Sequence, residues 1–198
     1  ERAARAAELL RAVDAAHRAH LERVLAPLGA ACAQVLPVTP LQQSMLLETS
    51  VDPRRYWVHR VYALQAPPDA AALREALART AADLACLRTG FVPLAETRAA
   101  PAQDACDAAF APLYVAAVWE RYAPPLREAP LPAGASDAQV DRAVLEHVSP
   151  PGSASDGQPP FRALLLHGAG KAFLALTLHH ALYDAHTLEL LAERLGAY

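Results

Sequence analysis

Two apolar runs joined by a glycine turn limit what this chain can fold into more than any other feature. Residues 161–167 and 172–178 are rich in Leu, Ala and Phe, and Gly168-Ala169-Gly170-Lys171 links them. Such runs flanking a glycine turn predict a β-hairpin. A hairpin this apolar cannot stand alone in water, so further strands and packed helices must cover it.

The rest of the chain supplies them. Residues 1–25 read as an Ala-rich amphipathic helix with Leu9, Leu10, Val13, Leu21 and Val24 on one broad face, ended by Pro27 and Gly29. It suits either a core helix or a linker helix from a preceding domain. Residues 35–40 are extended, and 41–48 are helical with Pro40 placed for a first turn. Residues 56–64 alternate as a strand does. Pro67-Pro68-Asp69 closes that strand and caps a helix over 70–84, with Leu73, Leu77 and Leu84 as its stripe and Glu75–Arg79 as an i,i+4 pair. Residues 87–93 and 113–119 predict two more strands. Residues 124–134 read as a Pro-rich loop, 138–148 as a short helix, 150–160 as a mobile loop and 187–195 as a last helix with Leu188, Leu191 and Leu195. Strands mixed with helices around hairpins predict an α/β (α+β) layered domain.

Composition narrows the function classes. With 198 residues, 54% of them hydrophobic, the prior is one well-buried domain. Lys and Arg number 18 against 21 Asp and Glu, a net charge of −3, which argues against a nucleic-acid surface. Cys32, Cys86 and Cys106 are odd in number and form no CxxC pair, which argues against a disulfide framework or a zinc knuckle and fits a reducing compartment. No secretory leader pattern and no run of roughly 20 apolar residues stands in the sequence, so a cytoplasmic location without a membrane partner is expected. The first residue is Glu rather than Met, as in a fragment.

The candidate chemistry sits where the hairpin ends, in Leu178-His179-His180-Ala181-Leu182-Tyr183-Asp184. Strand ends present side chains rigidly near solvent. Imidazole titrates near neutrality and can act as a general base. A carboxylate four residues on can fold back and fix the loop through a hydrogen bond or an arginine pair. Two adjacent histidines at a strand end are, taken alone, more often merely half-buried polar residues. A metal site using His179, His180, Asp184 and His186 is disfavoured, because neighbouring side chains on a strand point to opposite faces. Trp57, Trp119 and Tyr122 could line a channel, but packing explains them more simply. Tyr183, inside the motif loop, could touch substrate. His59, His147 and His167 read as surface or strand residues, and the Gly168–Gly170 turn is too short for a phosphate loop.

The His-His-x-x-x-Asp string after an apolar strand resembles the signature of nonribosomal peptide synthetase condensation domains and of chloramphenicol and carnitine acetyltransferases. Further segments separate these relatives. Leu36-Pro37-Val38-Thr39-Pro40-Leu41-Gln42-Gln43-Ser44-Met45-Leu46 is similar to the opening motif of condensation domains. Leu87-Arg88-Thr89-Gly90-Phe91 is similar to the end of their second motif, and Pro159-Pro160-Phe161-Arg162-Ala163-Leu164 to the stretch before the histidines. The resemblance covers about residues 35 to 198.

It implies a chloramphenicol acetyltransferase-like two-layer sandwich, here a single amino-terminal lobe with a mixed sheet packed on helices. Residues 1–34 would be a linker helix from an upstream carrier domain and the carboxy-terminal lobe would be missing, so the isolated chain is expected to be inactive. The implied reaction is acyl or peptidyl transfer from a carrier-bound thioester to a carrier-bound amine, forming a peptide bond. The substrates ride on phosphopantetheine arms, and no cofactor or metal is bound directly. The implied partners are carrier domains, the second lobe and an adenylation domain. His180 matches the histidine that deprotonates or positions the nucleophile, His179 and Asp184 match residues that hold the loop, and Arg88 matches a structural arginine. Two departures stand out. Ala185 replaces the usual glycine after Asp184, and Asp83-Leu84-Ala85 replaces the charged lead-in of the second motif. A free-standing trimeric CoA-dependent acetyltransferase and a degenerate, non-catalytic carrier-docking lobe are the alternative readings.

Overall fold

The structure is a computed structural model that describes residues 2–66, 68–94, 112–148, 153–168 and 170–197; Pro67, Cys106 and Ala169 lie outside them. The helices are α1 (Arg2–Leu25), α2 (Pro40–Val51), α3 (Ala70–Asp83), α4 (Asp137–Val148) and α5 (Ala185–Ala197). The strands are β1 (Cys32–Pro37), β2 (Trp57–Leu64), β3 (Thr89–Pro93), β4 (Tyr114–Trp119), β5 (Leu126–Pro130), β6 (Phe161–Gly168) and β7 (Lys171–His179). None of the helices is long and apolar enough to cross a membrane among the described residues.

The hairpin forms as its sequence requires. β6 and β7 pair antiparallel in register from Phe161 opposite Leu178 to Gly168 opposite Lys171. They are the centre of a mixed sheet ordered β2-β7-β6-β5, and β5 runs parallel to β6. A second, antiparallel sheet is ordered β1-β4-β3. Period-two alternation divides the core between these layers. Phe161, Ala163, Leu174, Leu176 and Leu178 turn to a central cluster that also takes Phe91 and Ala116 from the smaller sheet, with Leu77 of α3 and Leu191 of α5. Leu164, Leu166 and Ala175 turn the other way, onto Val140 and Val144 of α4. A hairpin covered on both faces reads as a continuous apolar run, as this one does.

The far face of the smaller sheet is covered by α1. Leu21 and Leu25 are fully buried there against Val35, Val92, Val115 and Ala117. The last turns of α1 are therefore core, while its first turns are exposed.

Three local expectations need correction. The Pro-rich stretch 124–134 is not all loop, because β5 lies within it. Pro130 is accepted at the edge of the sheet, where its missing N–H costs no ladder bond. The strand expected from residue 87 begins only at Thr89, after a 3-10 turn over Ala85–Arg88. Finally, the described part of the 150–160 stretch is anchored. Gly157 donates its N–H to Phe91 O at 2.9 Å, and its own carbonyl accepts from Trp119 Nε1 at 3.0 Å. Gly90 makes that approach possible: a Cβ there would stand 1.9 Å from Gly157 O.

Candidate active site at the end of the buried hairpin

β7 ends at His179, and a 3-10 turn over His180–Leu182 follows directly. The two histidines part as strand geometry demands. His179 is fully buried and His180 is exposed. His179 N–H donates to Pro160 O and His180 N–H to Tyr56 O, so both neighbouring segments hold the turn's backbone. Tyr56 adopts a φ of 62°, a left-handed conformation that costs energy for a bulky residue.

Hydrogen-bond partners define both tautomers. His179 Nδ1 accepts the N–H of Ala181 at 3.2 Å, so its ring hydrogen lies on Nε2. Nε2 donates to Thr49 Oγ1 at 2.8 Å, and the Thr49 hydroxyl donates to Met45 O at 2.7 Å. Trp57 stands edge-on to the same imidazole, 5.3 Å between centroids. Burial first, and the neighbouring His180 second, push the His179 pKa down to about 4. His179 is thus a buried ring that stays neutral at pH 7. His180 Nδ1 lies 3.2 Å from Tyr183 O. A carbonyl only accepts, so Nδ1 carries the hydrogen and the Nε2 lone pair is left unshared. The Tyr183 ring stacks on that of His180 at 4.8 Å.

Asp184 meets Thr187 through hydrogen bonds, and no arginine pairs with it among the described residues. Its Oδ1 accepts from Thr187 N–H at 2.8 Å and from the Thr187 hydroxyl at 2.7 Å, capping α5. These bonds hold its carboxyl below the usual carboxylate range. Ala185 is then the first residue of α5, and Tyr56 is the positive-φ residue other than glycine among the described residues. Alanine fits this helical backbone, so the replacement of glycine does not distort the loop.

Arg88 is half-buried and donates Nη1 to Trp119 O, while its Nε is buried without an acceptor among the described residues. Trp119 packs edge-on to Tyr122, whose hydroxyl donates to Phe161 O at 2.8 Å; both serve packing. Among the described residues no three His, Cys, Asp or Glu side chains converge as a metal site would require. His186 instead faces Glu189, with Nδ1 3.8 Å from the carboxylate.

Sequence reasoning missed Thr49, whose value depends on a partner far away in the chain. It also missed the second task of Gln42. Thr39 and Gln42 form a capping box at the start of α2, for which Thr-x-x-Gln is a readable signal. While Gln42 Oε1 accepts from Thr39 N–H, its Nε2 donates to Ala181 O at 2.8 Å. One side chain therefore ties the Thr-Pro-Leu-Gln segment to the histidine turn.

Comparison with known proteins bears on the fold and on the family of the chain. No family model matches the chain. The chain is 31% identical over its full length to a ferrichrome siderophore peptide synthetase of Mycosarcoma maydis, of which it spans 5%. It is 27% identical over 77% of its length to the nonribosomal peptide synthetase sidC of Aspergillus fumigatus, of which it spans 3%. Among solved structures, the starter condensation domain of rhizomide synthetase superposes with a TM-score of 0.62 at 16% identity, covering 82% of this chain and 36% of that one. A four-domain nonribosomal peptide synthetase bound to AMP and glycine superposes with a TM-score of 0.63 at 17% identity, covering 85% of this chain and 12% of that one. The chain has the fold of part of a condensation domain and is homologous in sequence to segments of nonribosomal peptide synthetases.

Proposed function

We propose that this chain is the histidine-bearing lobe of a condensation domain and that His180 is the general base of peptide-bond formation. The observation that carries the reading is the tautomer of His180. Nδ1–H is held by Tyr183 O, so the exposed Nε2 presents its lone pair to solvent. In this reading Nε2 removes a proton from the acceptor's α-ammonium. The freed amine attacks the donor thioester carbonyl; the C–N bond forms, the C–S bond breaks, and the phosphopantetheine thiol leaves with a proton. His179 and Asp184 hold the loop through Thr49 and Thr187, Arg88 braces β4 from behind, and the Tyr183 ring limits how the His180 ring can turn.

The same reading gives the lobe residues 35–198 together with the start of β1 and the packed last turns of α1, places the exposed first turns of α1 on the path from an upstream carrier domain, and has a second lobe close the opposite wall of the site. Carrier and adenylation domains are its partners and the cytoplasm its compartment. Similarity to multidomain synthetases supports this over a free-standing acetyltransferase. The helical backbone at Ala185 supports an intact loop over a degenerate one.

The test joins the chain to the lobe that completes it and supplies two loaded carriers. His180→Ala should lower the single-turnover transfer rate by about 10²–10⁴-fold, the usual contribution of a positioned base. Transfer at the wild-type rate would remove His180 from the chemistry. A tight trimer that acetylates from acetyl-coenzyme A would favour the acetyltransferase instead.

A further inference from the structure

A cleft of about 240 Å³ opens beside the histidine turn, on the face of the smaller sheet that α1 leaves uncovered. Strand register lays its floor in two cross-strand rows. Val118 stands between Gln34 and Thr89, and Ala116 stands between Leu36 and Phe91. Ala181 and Leu182, the residues immediately after His180, form part of the facing wall. Ala116 and Ala181, both small, line the cleft where the strands and the turn converge.

Its chemistry is neutral. Among the described residues no charged side chain lines it. Thr89 spends its hydroxyl on Ala85 O at 2.8 Å, and Gln42 spends its amide on Thr39 and Ala181. The Gln34 carboxamide makes no hydrogen bond among the described residues and is left to meet a ligand. Cys86 contributes a thiol whose pKa burial raises, so it too is uncharged. Pockets for a whole drug-sized ligand begin near 300 Å³, so this volume suits one side chain rather than an entire substrate.

Building on the reading of His180 as the reacting centre, we infer that this cleft receives the uncharged side chain of the thioester-bound aminoacyl group that reacts there. A carboxylate in it would lose water and face the charge of Asp184, which reaches Cys86, and an ammonium would lose water with no carboxylate among the lining residues to receive it, costs that a neutral side chain does not incur. The cleft thereby acts as a specificity filter one residue away from the base.

The experiment titrates the full 198-residue chain with N-acetylcysteamine thioesters of N-acetylated leucine, glutamine, glutamate and lysine, and follows backbone amides by NMR. The leucyl and glutaminyl thioesters should shift the amides of Gln34, Val118 and Leu182 and bind about tenfold more tightly than the charged pair. Ala116→Leu, which fills the floor, should weaken them by a similar factor. Gln34→Glu alters an exposed position and keeps the test valid if the core variant fails to fold; it should shift preference toward the lysyl thioester. Equal binding of all four ligands, or shifts that map away from the cleft, would overturn the inference. His180→Ala separates this inference from the reading beneath it. Cleft shifts retained while transfer survives in that variant would remove the base alone. A silent cleft with transfer that depends on His180 would remove the cleft alone.

Discussion

His179 Nε2 donates to Thr49 Oγ1 across 2.8 Å, although 130 residues separate the two in the chain. This bond stands in for water at a fully buried imidazole. Thr49→Val keeps the shape and deletes the acceptor, leaving a buried N–H unpaired. It should destabilise the chain by about 1–3 kcal/mol, while Thr49→Ser should cost much less. Urea denaturation of the three proteins measures the difference. Equal stability of the valine and serine variants would show that the hydroxyl is not what His179 relies on.

The same imidazole sets a pH dependence. Its pKa falls from 6.5 to about 4 on folding, so between these values the unfolded chain binds a proton that the folded chain refuses. Stability from this group is therefore fully present above about pH 6.5, is lost as pH falls, and levels off below about pH 4. The total loss is about 3 kcal/mol. His179→Gln should flatten that part of the stability profile, whatever its effect at neutral pH. An unchanged slope between pH 6.5 and 4 would place the titration on another group.

Asp184 caps α5 through Thr187. Asp184→Ala should cost about 1 kcal/mol, and Asp184→Asn, which keeps an acceptor oxygen, should cost only a few tenths. Hydrogen exchange localises the effect. Amides in the first turn of α5 should lose protection in the alanine variant before those of β7 do.

Gly90 admits the backbone of Gly157 against β3. Since neither backbone can yield like the end of a flexible side chain, Gly90→Ala should destabilise by about 4 kcal/mol or more. The bond from Trp119 Nε1 to Gly157 O should break with it, so indole fluorescence and thermal unfolding report on the same event. A variant within about 1 kcal/mol of wild type would mean that residues 153–160 can lift away at little cost.

Much of this architecture was readable as local pattern. The α3 stripe, the alternation of β2 and the β6–β7 hairpin each carry their signal within a few residues. β5 was not readable, because its five residues hold one proline and depend on β6 for their strand state. Residues 153–160 look like a flexible loop by composition, and are held by partners that Phe91, Trp119, Tyr122 and His179 offer. Composition reports what a segment can do alone, and says nothing of the acceptors that distant strands bring to it.

The candidate site divides in the same way. The sequence by itself determined that two histidines follow an apolar strand with an aspartate four residues on, and hence that one ring goes inward and one outward. Only the tertiary structure decided which nitrogen of each ring carries the hydrogen. Those choices rest on Thr49, on Tyr183 O and on the N–H of Ala181, and on the Gln42 bond that holds the turn in place. A tautomer is chosen by the partners within hydrogen-bond reach, and for His179 the partner on Nε2 is brought there by packing alone.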